Sequence, residues 1–352
     1  MTSSRVDQPA LATVSLLVIA AVAGAAALWY TRPVMVPFVL AVFIAYLVSP
    51  LVDILRTRFR VPRQAAVALT LLVAALLLVL LAMLVVTSMA GLLSRFDLYQ
   101  DRVIGLVQKA TAFGDRFGLD LGQEALVEGI RGLPVLAWLQ RGAGTAVGLV
   151  TSGVLVLIFV VYLLLGRHPN QLRSGIYAEI DNKVRGYLLI KFITSATTGI
   201  LTGIILAFLR LDLALVFGVM AFLLNFIPSI GSVIATLLPL PIALIQFDSG
   251  LTIALVVLLP GAVQFTIGNV VEPLVMGEGL DLHPVVVLMA LVFWGLLWGP
   301  VGMLLAAPMT AVLRIVFARI AFTRPVADLM AGRLPREGWV TAETLIPGVE
   351  PD

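Results

Sequence analysis

The sequence predicts an all-α, polytopic transmembrane protein with about eight membrane segments, two of them broken or re-entrant helical hairpins. Three observations predict it. First, 61% of the 352 residues are hydrophobic and only 12% charged, with a mean hydropathy of +1.09, whereas a soluble domain is apolar over about 45–50% of its residues. Second, the apolar residues gather in runs near the roughly 20 residues that a helix needs to cross a bilayer. Third, two of the runs are interrupted, at Asn225-Phe226-Ile227-Pro228-Ser229-Ile230-Gly231 and from Trp294-Gly295 through Gly299-Pro300-Val301-Gly302.

The same composition excludes several classes. The formal net charge is only +3, and no aromatic residues interleave with basic ones as in a base-stacking surface, so nucleic acid is not an expected partner. The absence of cysteine excludes disulfides, thiolate metal sites and cysteine nucleophiles. No serine–histidine–acid set, paired catalytic carboxylates or metal cluster stands out, so no enzyme is expected. No cofactor is expected either.

In chain order, residues 11–28 form a first span without a cleavage signature, and residues 34–52 a second. Arg56, Arg58, Arg60 and Arg63 crowd the next loop; short cytoplasmic loops hold the excess of arginine and lysine, so this loop and the N-terminus are placed inside. Residues 65–90 cross outward. These helices make an N-terminal unit, residues 1–90.

Residues 91–143 are the polar module. Within it Leu92, Phe96, Tyr99, Val103, Leu106, Ala110 and Phe113 alternate spacings of four and three, the apolar seam of a helix that packs on a partner. A subunit contact or cap and an amphipathic helix on the membrane are both open readings.

Residues 144–322 form the transport core. A span over 144–165 returns inward, and Arg167, Arg173, Lys183 and Arg185 again mark the inside. His168 has no second ligand at metal spacing and reads as surface. The next span runs to residue 209 with Ser195, Thr197, Thr198, Gly199, Thr202 and Gly203 along it, residues that let helices approach closely. Arg185 and Lys191 either snorkel to the inner interface or meet an anionic headgroup or solute there.

The chain then repeats itself. Leu211-Asp212-Leu213 with Met220-Ala221 and Pro239 recurs at one offset as Leu280-Asp281-Leu282 with Met289-Ala290 and Pro308. Paired interrupted segments point to a transporter site, because non-helical backbone at membrane depth survives only inside protein or along a wet cavity. In each, proline removes a backbone donor and glycine tolerates unusual angles. A helix-turn-helix with its turn at the membrane surface is the other reading. The topology count makes the two hairpins enter from opposite faces.

Between them, residues 251–271 form a span ending in Gln264, Asn269, Glu272 and Pro273. Gln264 and Asn269 lie within reach of one helical sector, and Glu272 follows Asn269 at a same-face spacing. A buried Glu272 would be a proton or cation site; otherwise it reaches interfacial water. Asp281 and His283 do not make a metal site before Pro284. The tail, residues 323–352, is polar and proline-punctuated, with Arg314, Arg319 and Arg324 placing it inside.

Taken together, Arg185-Gly186-Tyr187-Leu188 with Lys191, Asn225 to Gly231, Gly268-Asn269-Val270-Val271-Glu272-Pro273, Leu282-His283-Pro284-Val285-Val286 and Gly299 to Pro308 resemble the autoinducer-2 exporter family of permease-like membrane proteins. His283 stands where many members of that family carry serine. The resemblance implies a multi-pass bacterial inner-membrane protein that exports a small signal molecule and assembles as a homo-oligomer; some members are described as sodium–proton antiporters. No glycine-rich phosphate loop is present, so export would not use an ATPase of its own. The path would be lined by Asn225, Pro228, Gly231, Gln264, Asn269, Glu272, Pro273, Pro300 and Gly302, with the bilayer and a small solute or cation as partners. A cation–proton antiporter and a non-transporting membrane scaffold are the alternatives.

Overall fold

The computed structural model describes residues 8–94, 102, 104–105, 108, 111, 153–166, 175–276 and 279–333. The described residues form helices joined by turns, with no strand among them. Among the described residues three continuous helices, Arg32–Arg58, Ile176–Phe208 and Gly250–Met276, are long and apolar enough to cross a membrane, and a fourth apolar stretch that long, Pro284–Arg319, is interrupted at Gly299. Most of the polar module, the seam beyond its first residues, and the tail after residue 333 lie outside the described residues, as does His168.

The distribution of side chains is that of a protein dissolved in lipid. On the helix Ile176–Phe208 the buried face carries Lys191, Thr194, Ser195, Thr198 and Thr202, while Ile193, Ile200, Ile204 and Phe208 are exposed. A soluble helix sorts the other way, because water penalises exposed apolar area. In a bilayer the polar groups are the ones that must be enclosed.

The chain divides into two units. The larger comprises residues 46–152 and 164–281. It takes in the end of α2 (Arg32–Arg58) and α3 (Arg63–Ser94). Arg56 and Arg58 stand in the last turn of α2, where positive charge complements the helix dipole. The Arg63 guanidinium donates to the carbonyl of Leu164 at 2.7 Å, at the end of α4 (Gly153–Gly166). Arg63 therefore closes a helix terminus as well as marking a loop.

The core of this unit is α5 (Ile176–Phe208) with a hairpin of α6 (Ala214–Leu224), α7 (Ile230–Leu237) and α8 (Leu240–Gln246). Arg210, at φ 57°, ends α5 in the left-handed conformation, and the Leu211 N–H reaches back to the Leu206 carbonyl at 3.0 Å, a reversal that satisfies orphan helix carbonyls. The chain then turns straight back along α5. Gly199, Gly203 and Gly218 make the approach possible: a Cβ on Gly218 would sit 2.7 Å from the Gly199 oxygen and 2.9 Å from the Gly203 Cα. Small residues at such a crossing let the backbones touch.

The hairpin's arms are short. Its first arm of 11 residues is about 16 Å long, roughly half of a 30 Å bilayer core. At its base the Gln246 amide ties the two ends together, accepting from the Asp212 N–H at 2.8 Å and donating to the Arg210 carbonyl at 2.7 Å. The ends are held beneath an apolar cluster of Leu206, Leu211, Ala214, Phe217, Ala243 and Val256. α9 (Gly250–Thr266) then runs beside α5 and α7 and continues through a wide turn, Ile267–Val271, into α10 (Glu272–Met276).

The smaller unit comprises residues 1–45, 153–163 and 282–352. It holds α1 (Gln8–Tyr30), α11 (Pro284–Arg319) and α12 (Arg324–Met330). Helix α11 is broken at Gly299, whose φ of 65° and ψ of −146° are not helical. The break folds the helix back on itself: the Trp294 indole N–H donates to the Thr310 hydroxyl at 3.1 Å across 16 residues, a separation of about 24 Å along a straight helix. Trp298 donates to the Leu28 carbonyl of α1 at 3.2 Å. Arg210 and Gly279 both take positive φ, but the positive φ of Leu213 and Asp281 has no counterpart at the same offset.

Candidate functional site

The candidate site is built on α5 because its buried face is the polar one. Lys191 is only 5% exposed, and its ammonium contacts both carboxylate oxygens of Glu272, at 2.6 and 2.9 Å. A charge cannot be enclosed at membrane depth alone, so the two residues satisfy each other's desolvation. Tyr187, also buried, lies one turn before Lys191. One turn after it, the Ser195 hydroxyl accepts from the Asn225 amide at 3.0 Å. Asn225 is 5% exposed and stands where α6 ends.

The residues after Asn225 shape the hairpin apex. Pro228 contributes a carbonyl that accepts from the Ile230 N–H at 2.6 Å, and Ser229 takes a φ of 60°, a region that favours glycine. At Gly231 an added Cβ would collide with the Leu224 carbonyl. Only glycine lets the second arm start that close to the first.

Helix α9 presents Val256, Pro260 and Gln264 on its buried face. Gln264 is 5% exposed, and neither of its amide atoms has a hydrogen-bond partner among the described residues. The Thr202 hydroxyl on α5 is likewise buried and unpartnered. An amide enclosed without partners costs about 1–3 kcal/mol. Both side chains lie on the enclosed faces of neighbouring helices.

Asn269 lies elsewhere. It is exposed, and its Nδ2 donates to the Phe265 carbonyl one turn back on its own helix at 3.1 Å. A five-residue step already turns Asn269 about 140° away from Gln264 around a regular helix, and the wide turn Ile267–Val271, closed by the Glu272 N–H on the Ile267 carbonyl, shifts Glu272 relative to both. Pro273 follows Glu272 on α10, exposed. Arg185 reaches Asp53 at 3.5 Å in a largely exposed pair.

In the smaller unit, Pro300 follows the break at Gly299 and Gly302 is buried against the Trp294 carbonyl, which a Cβ would strike. That break is surrounded by Trp294 and Trp298, whose ring centroids are 5.2 Å apart. The Lys191–Glu272 pair was the element that sequence reasoning missed. The signal was present: a lysine well inside an apolar span and a carboxylate at the end of another require partners, and each is the other's. Among the described residues no histidine and carboxylate cluster could hold a metal ion; His283 instead accepts from the Val285 N–H at 3.3 Å as a helix cap.

A polar face enclosed in an apolar exterior, two broken helical hairpins and a buried ion pair describe an all-α membrane protein, and comparison with known proteins places it. The model of the family described as AI-2E family transporter matches residues 17–322. The chain belongs to the AI-2E transporter family. It is 32% identical over 315 residues to the AI-2 transport protein TqsA of Escherichia coli K12, covering 86% of this chain and 90% of that protein. A putative transport protein of Haemophilus influenzae is 32% identical over 317 residues, 84% of this chain and 90% of its own length. The putative transport protein MT0215 of Mycobacterium tuberculosis is 28% identical over 315 residues, 84% and 85% of the two chains. AI-2E proteins of this set are named as transporters, and the multi-pass membrane architecture of this chain fits that description.

Proposed function

We propose that this protein is a secondary exporter of a small, uncharged polar solute, with autoinducer-2 as the first candidate, and that the solute passes the enclosed polar face of the hairpin unit. The observation that carries the reading is Gln264, a buried amide with both hydrogen-bonding atoms unpartnered, on a helix packed beside the broken hairpin. Asn225 would offer a second amide at the hairpin apex. Pro228 and Gly231 would shape the opening, while Glu272, held by Lys191, would be a closed charge pair at the inner end. Asn269, Pro273, Pro300 and Gly302 would act through the backbone rather than on the solute.

The pairing of Lys191 with Glu272 supports a neutral cargo, since no buried charge of this pair is left over for a cation. The name of the Escherichia coli relative, an AI-2 transport protein, supports the choice of solute. The arginines at 56, 58, 60 and 63 support an inner-membrane orientation with both termini cytoplasmic. The heptad spacing from Leu92 to Phe113 supports self-association through the polar module, which native mass spectrometry of the detergent-extracted protein would test.

The direct test is flux of labelled autoinducer-2 from liposomes containing the purified protein, beside sodium-driven proton movement. Flux that falls with Asn225→Ala while the protein stays folded supports the exporter reading. Proton movement that depends on Glu272, with no solute flux, would replace it by cation exchange.

A further inference from the structure

The wide turn at Ile267–Val271 has a consequence for the direction of Glu272. Measured around the axis of α9 from Gln264, the buried residues Pro260 and Val256 lie at about −40° and −80°, and Ile267 at about −60°, given 100° per residue. In an uninterrupted α-helix Glu272 would lie at about +80°, outside that sector and turned away from α5. A π-type turn absorbs one extra residue and so returns Glu272 to about −20°, the middle of the buried face. The turn itself is closed by the Glu272 N–H on the Ile267 carbonyl. On that face Lys191 meets the carboxylate at 2.6 and 2.9 Å.

Wide turns bond less favourably than α-turns and need support. The one side-chain bond made within this segment is from Asn269, inside the turn, to the Phe265 carbonyl at 3.1 Å. That carbonyl is the one to which the Asn269 backbone N–H would donate in a regular α-helix.

We infer that Asn269 is a positioning residue: it holds the wide turn in place, and the turn aims Glu272 at Lys191. Asn269 touches neither member of the pair and faces outward, so its effect is exerted through helix register. The inference gives the exposed amide of the sequence motif a role in the same site, and it rests on the transport reading above only for its functional meaning.

The test reads the pair itself. Lys109, Lys183 and Lys191 are the only lysines in the chain, so solid-state NMR of the full chain in lipid bilayers, with lysine 15Nζ and glutamate carboxyl 13C labels, gives a spectrum that Lys191→Arg assigns. Wild type should show a strong Lys191–Glu272 dipolar coupling. Asn269→Ala should lose it, and Asn269→Ser should keep it, since a hydroxyl also donates to the carbonyl one turn back. Deleting Val270 turns the wide turn into an ordinary one with the carboxylate on the same face, so Asn269→Ala combined with that deletion should regain the coupling. Full coupling in Asn269→Ala overturns the inference. So does loss of coupling in all three variants. Should Asn269→Ala fail to accumulate, recovery of both yield and coupling in the double variant supports the inference, and failure to recover overturns it. Absence of autoinducer-2 flux in wild-type liposomes would sink the transport reading and leave this result standing.

Discussion

At Gly231 and at Gly302 a glycine packs against a carbonyl oxygen of the preceding arm, Leu224 in one hairpin and Trp294 in the other, and in both a nearby residue takes a positive φ, Ser229 and Gly299. The surroundings differ in part. At the first break the buried Asn225 donates to Ser195 beside the edge-to-face rings of Phe192, Phe222 and Phe226, in the unit that also encloses Gln264 and the Lys191–Glu272 pair. The second is filled by Trp294 and Trp298, with one indole satisfied by Thr310. One backbone device thus occurs in two settings: both breaks carry aromatic rings, and only the first sits in the unit with the buried amides and the ion pair, which is where the proposed path runs.

The comparison can be broken most severely at the ion pair. Lys191→Ala leaves Glu272 enclosed without its counter-charge and should cost about 3–5 kcal/mol, read as a fall in the thermal midpoint of the detergent-solubilised protein. Lys191→Met together with Glu272→Leu should recover most of that loss. If the single variant is harmless, the pair is not the enclosed element described here.

Next in size are the glycines, which should behave alike in the two hairpins. Gly231→Ala and Gly302→Ala each force a Cβ onto a backbone carbonyl and should destabilise by about 1–3 kcal/mol, the range for overpacking a closed site. A large loss in only one would show that the two breaks are not equivalent.

A third pair of substitutions separates the two settings. Asn225→Ala and Trp294→Phe each remove one buried hydrogen bond, to Ser195 and Thr310 respectively, worth about 1 kcal/mol in stability. Solute flux per folded molecule should drop with the first and hold with the second. The smallest effect is expected at Arg185, whose pair with Asp53 is largely exposed. Arg185→Ala should change stability by less than about 1 kcal/mol.

How much of this was legible in the sequence follows from the physics of each signal. Proline, glycine and an amide inside an apolar run are strong local signals, so the first break was placed at Asn225 to Gly231, where α6 ends and α7 begins. The wide turn at Ile267–Val271 carries no such mark, because a one-residue insertion changes hydrogen-bond partners without demanding a special residue. The position of Glu272 therefore shifts relative to even helical spacing, whereas the grouping of Asn269 with Gln264 fails on spacing alone, since five residues turn a helix by about 140°. Snorkelling and an anionic contact are both open for Lys191 in the sequence because a single helix shows where a charge sits but not what faces it. The partner 81 residues away is tertiary information.

The central claim is that Gln264 is held in the enclosed face for a solute and not for the fold, and Gln264→Leu tests it most directly. An apolar side chain of similar size removes an unpartnered buried amide, whose enclosure costs about 1–3 kcal/mol. The thermal midpoint should stay or rise while autoinducer-2 flux from proteoliposomes falls. A variant that loses stability, or one that transports as well as wild type, would contradict the account.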